Sequence, residues 1–255
     1  MIILEHDQQF HLVKQHDHAQ ASGQIARQMN IPRLTFDSRT DDVYIAVDEH
    51  DRGWIDLDET PIWNDKTQTP FSFEDYPLYP KLQFYRLGLD EVEVQSPYAA
   101  LLCSLHYASF FEDVQDSKAL AFYEQERTRQ RRLLQQLALW EEDDHEAIDT
   151  FYDLLQFCDH LSLFICLSTV DKEEENFRWQ DNGFRQRFEH LDFEHIMPRW
   201  VDESTIALTP FPLHEPTRVT VKEKILTASE IEQHGLADAY HAASYREREV
   251  LLTSG

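Results

Sequence analysis

Apolar positions recur at helical spacing over much of the chain. Val43, Ala46, Val47 and His50 follow an i, i+3, i+4, i+7 pattern and share one face of a predicted helix. Gly53, just beyond, reads as its stop. An earlier helix is predicted from Gln15 to about Met29, with Asp17 as N-cap, Ala21, Ile25 and Met29 as its stripe, and Pro32 as its end. Ser96-Pro97 reads as an N-cap followed by proline at the first helical position. The helix it opens carries Leu101, Leu102, Leu105, His106, Ser109 and Phe110. A charged helix is expected from Lys118 to about Trp140. Another runs from Glu146 to Val170 with the stripe Ile148, Phe151, Leu155, Cys158, Ser162 and Cys166.

Near both ends the period shifts toward two. Ile2 to Leu4 and Phe10 to Lys14 read as strands around a polar turn at His6-Asp7-Gln8-Gln9. Ile206 to Leu208, followed by Pro210 and Pro212, reads as an edge strand. Val219, Val221 and Ile225 alternate with polar residues as another. Glu230 to about Val250 is expected to close the chain as a helix. Between Pro61 and Pro97 five prolines alternate with seven aromatics, among them Trp63, Tyr76 and Tyr85. That density argues against a regular element and for an ordered excursion, either structural cover or a substrate lid. The expected fold is α+β, mainly α, in a single domain over 1–255. Its helical body spans about 15–200 with the excursion at 60–97. The terminal strands, 1–14 and 205–226, are expected to form a small antiparallel sheet.

Composition narrows the function. Of 255 residues 42% are hydrophobic, including 5 Trp, 10 Tyr and 16 Phe, enough for a substantial core. With 6 Gly and no Gly-rich phosphate loop, nucleotide-cradling motifs are excluded. A net charge of −25 repels nucleic-acid backbones and anionic membranes, so neither is expected as a partner. A small-molecule substrate is expected instead; oligomeric state is unreadable. The one basic cluster, Arg127, Arg129, Arg131 and Arg132, reads as a solvated face. Cys103, Cys158 and Cys166 lie in apolar runs without a CxxC pair and read as buried thiols of a reducing compartment. Without a signal-like N-terminus or a long apolar run, the expected location is cytoplasmic.

The chemistry centres on His50-Asp51. His50 points inward with its apolar stripe and Asp51 follows at once, which offers two adjacent metal ligands of different hardness or a buried histidine satisfied by its neighbour. Asp159 sits inside the apolar stretch Leu154 to Ile165. A carboxylate there needs a metal, strong donors or a cation such as Arg27 or Arg52. His18 lies on the first helix, 32 residues before His50.

This order resembles the HD-domain metal-dependent phosphohydrolases, in which an early histidine, a His-Asp pair and a later aspartate converge on a divalent metal. The resemblance implies an HD-domain-like helical bundle with His18, His50, Asp51 and Asp159 as ligands. His106 falls where two-metal members place further histidines and is an optional ligand. A second such histidine is not evident, and Trp54 stands where a basic residue often follows the His-Asp segment. Gln15-His16-Asp17-His18-Ala19, His50-Asp51-Arg52-Gly53-Trp54, Leu161-Ser162-Leu163 and Pro210-Phe211-Pro212 also resemble domain of unknown function family 3891 over most of the chain. That likeness implies a fold neighbourhood and no reaction.

Two imidazoles and two carboxylates suit a divalent metal: Mn, Fe, Co, Ni, Mg or Zn. Such an ion lowers the pKa of bound water to about 7 and polarises a phosphoryl oxygen. Asp51 or Asp159 is the candidate for orienting the water, and His16 for acid/base work further out. Arg52, Trp54 and Trp63 are the candidate substrate pocket. Three functions follow: a hydrolase of a small phosphorylated or nucleotide-like compound, an HD-like iron oxygenase, or a non-enzymatic ligand-binding or interaction protein. Metal identity separates the first two, two irons with oxygen consumption favouring oxidation, and absence of any bound metal favours the third.

Overall fold

The computed structural model describes residues 1–170 and 182–255. Residues 171–181, part of the expected helical body, lie outside the described residues. The chain opens with a hairpin, β1 (Ile2–His6) and β2 (Gln9–Val13), joined through Asp7 and Gln8 at φ +50° and +61°. Two successive left-handed residues give the turn the twist a two-residue hairpin needs. Then come α1 (Gln15–Ala26), α2 (Pro32–Phe36) and α3 (Thr40–Glu49), and a 3₁₀ turn at Arg52–Trp54. A short hairpin, β3 (Trp63–Asn64) with β4 (Thr69–Pro70), precedes four helices: α4 (Leu78–Gln95), α5 (Pro97–Ser109), α6 (Ser117–Gln136) and α7 (Glu142–Leu167). The remainder is β5 (Met197–Asp202), β6 (Thr205–Thr209), β7 (Thr217–Thr227), α8 (Ala228–His234), α9 (Leu236–Ala242) and β8 (Arg246–Ser254).

The fold differs from the expected mainly helical α+β bundle. In place of a helical bundle with a small antiparallel sheet of terminal strands, the helices pack beside a six-stranded mixed sheet of order β1-β2-β7-β8-β6-β5. Neighbours are antiparallel except β6 and β8, which run parallel. The segment expected as one closing helix supplies the missing strand. Its helical part stops at Ala242, and β8 enters the sheet between β7 and β6, burying Val250 and Leu252 completely. The strand around Ile206 is therefore interior, and the edge is β5, which pairs Arg199 with Ala207.

The helices carry further corrections. Half of the Pro-rich excursion is α4. Pro77 is its N-cap and Pro80 lies in its first turn, where a missing N–H removes no intrahelical bond. Asp17 does not cap α1. Lys14 holds the N-cap position, and the Gln15 N–H is met instead by Asp58 Oδ2 at 2.7 Å. Pro32 opens α2, and α1 has already ended at Ala26. Gly53 lies beyond the end of α3 and serves packing: a Cβ there would sit 2.7 Å from the Phe84 carbonyl oxygen, and one on Gly88 2.4 Å from Gly53 N. The two glycines let α4 touch the turn that follows His50-Asp51. Ser96 caps α5 as expected, accepting from the Ala99 N–H at 3.0 Å. Arg129 leaves the expected solvated face and ties α6 to α4, through Asp90 at 2.5 Å and Glu93 at 2.6 Å.

α1 lies at the centre, against α3, α7 and β7, while α3 and α7 also touch α5. One apolar cluster runs through helices and sheet, from Ile2 and Ile25 through Val47, Leu102 and Phe157 to Leu252. The three cysteines are buried and free. Among the described residues no helix is long and apolar enough to cross a membrane.

Candidate metal centre

The packing of α1, α3, α5 and α7 brings His18, His50, Asp51, His106 and Asp159 together. His18, one turn into α1, is fully buried because the α1 stripe faces α3 and α7. His50 follows the last turn of α3 in helical conformation (φ −59°, ψ −26°), so it continues the Val43, Ala46, Val47 face inward. Asp51 begins the 3₁₀ turn, held where its carbonyl accepts from Trp54 N at 2.9 Å. His106 comes from α5 and Asp159 from the middle of α7.

His18 Nε2 and His50 Nε2 are 3.2 Å apart. Asp51 Oδ2 lies 3.4 Å from the first and 3.7 Å from the second. Asp159 Oδ1 lies 3.2 Å and 3.5 Å from the same two atoms. His106 Nε2 stands further off, 3.8 Å from Asp159 Oδ2. All five side chains are at most 8% exposed.

Hydrogen-bond partners assign the tautomers of the first two histidines. His50 Nδ1 is 2.8 Å from the Val47 carbonyl, which can only accept, so Nδ1 carries the proton. Ser162 Oγ donates to the Asp159 carbonyl at 2.9 Å and therefore accepts from His18 Nδ1 at 2.5 Å. Ser22 Oγ, 2.8 Å from Ser162 Oγ, braces the same point. With both protons on Nδ1, the two Nε2 lone pairs face each other, an arrangement that calls for a cation between them, either a proton or a metal. Orienting one imidazole nitrogen by bonding the other is the usual outer support of a metal ligand.

The electrostatics state the same demand. Burial opposes charge on His50, but Asp51 and Asp159 outweigh it and raise the ring to about 9. His18 is raised in the same way: burial opposes its charge, and Asp159 and Asp51 prevail. Burial favours the neutral acid at Asp159, but the imidazoles around it hold its carboxyl well below the usual range. Asp51 is also lowered, chiefly by His50 against its burial. His106 goes the other way, pushed by burial down to about 4. Without a metal, the cluster holds a proton among two imidazoles and two carboxylates.

A metal fits. Ligand bonds of about 2.1 Å place neighbouring ligand atoms about 3.0 Å apart in an octahedron and about 3.4 Å apart in a tetrahedron. The separations of the His18 and His50 Nε2 atoms from each other and from the Asp51 and Asp159 oxygens run from 3.2 to 3.7 Å. Two triads have ligand atoms within 4.8 Å of one another: His18, His50, Asp51 and His50, His106, Asp159. They share His50, whose one free nitrogen serves a single ion, so they overlap on one site rather than forming two.

The arginine partners considered for Asp159 are engaged elsewhere. Arg27 pairs with Asp48 at 2.6 Å, and Arg52 with Glu49 at 2.8 Å and Glu91 at 2.6 Å. Arg52 therefore points along the surface toward α4. Trp54 is buried edge-on against Tyr76 and Tyr85 in the aromatic layer behind the turn. Trp63 packs edge-on against Phe10, beside a second, smaller core cluster that includes Ile231 and Tyr240. His16 faces away from His18, into a surface cleft of about 740 Å³ shared with Lys14, Lys222 and Tyr245. Sequence reasoning missed Ser22, the Val47 carbonyl and the supporting role of Ser162. Ser22 follows His18 by four residues and Ser162 follows Asp159 by three, so each shares a helix face with a ligand, a signal the sequence does carry.

The family described as protein of unknown function (DUF3891) matches residues 1–228, and the chain belongs to it. No curated protein and no solved structure matches the chain.

Proposed function

We propose that this DUF3891 protein is a metal-dependent phosphohydrolase acting on a small phosphorylated or nucleotide-like compound. The observation that carries the reading is the pair of anchored imidazoles, Nε2 to Nε2 at 3.2 Å, flanked by the buried carboxylates of Asp51 and Asp159. Their order along the chain, by which it resembles the HD-domain phosphohydrolases, supports the choice of reaction. His18, His50, Asp51 and Asp159 would hold the ion.

A bound divalent ion supplies a water of pKa about 7 and polarises a phosphoryl oxygen. The chain's own groups do the rest. Asp159 turns Oδ1 to the imidazoles and leaves Oδ2 to accept a hydrogen bond from an attacking water. Val47 and Ser162 keep the two rings from turning. The near-complete burial of the site favours a small reacting group and strengthens the charge interactions inside. The net charge of −25 opposes an anionic substrate at long range, and a local cation is what reverses that field at the site.

The test is a panel of phosphomonoesters and nucleotides assayed for phosphate release with Mn, Fe, Co, Ni, Mg or Zn. Activity in the wild type that disappears in Asp159→Asn supports the proposal. Oxygen consumption by the iron-loaded protein, without phosphate release from any compound, overturns it.

A further inference from the structure

We propose that His106 is not a ligand of the metal but an N–H donor, through Nε2, to an oxyanion bound on it, with inorganic phosphate as the simplest example. This rests on the metal reading above and assigns His106 a place within it.

The three histidines of the site differ in how their other nitrogen is treated. His18 and His50 each have a protonated Nδ1 held by an acceptor, which frees Nε2 to ligate. His106 Nδ1 is buried and has no hydrogen-bond partner. For His106 to ligate through Nε2, Nδ1 would have to carry the proton, leaving a buried donor with nothing to accept it. A proton on Nε2 instead faces the Asp159 carboxylate, 3.8 Å away, which favours it electrostatically. The favoured tautomer therefore places the hydrogen on Nε2, where it cannot bind a metal.

The position of Nε2 agrees. It faces Asp159 Oδ2, whereas the imidazole pair faces Oδ1. At 3.8 Å the Oδ2 contact is too long for a hydrogen bond, so the N–H is still in want of an oxygen. Its neighbours fix the ring in this orientation. His50 meets it edge-on at 5.2 Å and Phe110 at 4.8 Å, and it is 1% exposed. A rigid, buried N–H beside a cation recognises an oxygen that carries negative charge.

The experiment compares wild type, His106→Leu, His106→Asn and His106→Gln, each loaded with cobalt. Cobalt content and affinity are measured first, then inorganic phosphate binding by calorimetry, with circular dichroism and a melting curve to check the fold. A Gln amide nitrogen comes close to the position of Nε2, whereas an Asn amide stops near Nδ1. The expected result is unchanged cobalt binding in all four. Phosphate affinity should fall about ten- to hundredfold in His106→Leu and His106→Asn and largely recover in His106→Gln. If His106→Leu fails to fold, the Asn and Gln pair carries the same comparison. Loss of cobalt from the folded Asn or Leu variant makes His106 a ligand and overturns the proposal, as does equal phosphate affinity in all four. A wild type that takes no cobalt overturns the metal reading itself, and that outcome is visible before any substitution is compared.

Discussion

Ser162→Ala should weaken metal binding without touching a ligand. Ser162 Oγ is the acceptor for His18 Nδ1 at 2.5 Å, and it is fully buried, so no bulk water takes its place. Removing it leaves the His18 N–H without a partner, at about 1–3 kcal/mol for a buried donor. The ring escapes by moving the proton to Nε2, but that blocks the lone pair that faces His50. Metal binding must then reverse the tautomer and restore the orphan. The expected loss in affinity is about 10–100-fold, the range seen when such outer supports are removed, and 100-fold corresponds to about 2.7 kcal/mol. Ser22→Ala is the control, because Ser22 Oγ lies 2.8 Å from Ser162 Oγ and does not touch the ring. The assay is competition for cobalt or zinc against a chelator of known affinity, with urea denaturation to confirm folding. Equal affinity in Ser162→Ala and wild type would refute the tautomer assignment, as would an equal loss in Ser22→Ala.

Other outcomes follow from the same geometry. Gly88→Ala places a Cβ 2.4 Å from Gly53 N and 2.6 Å from Gly53 Cα, both backbone atoms that cannot turn aside. Overpacking of about 1–3 kcal/mol should outweigh the gain in helix propensity of about 1 kcal/mol, lowering the urea midpoint and disturbing the turn that holds Asp51; a midpoint at or above wild type would show that α4 and the turn are not in tight contact. His50 is raised from 6.5 to about 9 by Asp51 and Asp159, so the stabilisation it brings to metal-stripped protein is complete below pH 6.5 and is lost as pH rises through about 9. Asp159, held below its ordinary 3.8, contributes above that pH and loses its contribution as pH falls further. Metal affinity should accordingly increase with pH up to about 9, as the competing proton leaves. Urea midpoints of stripped protein at about pH 6 and about pH 9.5, either side of the window, check the first claim, and a drop of the same size in His50→Leu would count against it.

The convergence of the candidate ligands was more legible in the sequence than the sheet, for a physical reason. His18, His50 and Asp159 each ride on a helix whose apolar stripe fixes which way the residue faces, so the stripe places the polar residue too. The tautomers were not legible, because they depend on the Val47 carbonyl and on Ser162 from another helix. The strand β8 was hidden because Arg246-Glu247-Arg248-Glu249 has no apolar alternation of its own. Its strand conformation comes from pairing with β7 and β6. In α4 the prolines mislead, because proline density reads as irregular structure unless the prolines fall at an N-cap and first turn, as Pro77 and Pro80 do. Gly53 reads as a stop for a related reason. Glycine serves both chain reversal and close packing, and only the partner, Gly88, tells the two apart.

Metal content tests the central claim most directly. The protein, purified without chelator and then exposed to Mn, Fe, Co, Ni, Mg and Zn in turn, is measured by elemental analysis beside His50→Ala and Asp159→Ala. The expected result is a single tightly held ion per wild-type chain, absent from both variants, with circular dichroism unchanged because the apolar stripes of α3 and α7 remain. Wild-type protein that retains none of the six metals, or variants that retain the ion as well as wild type does, would contradict it.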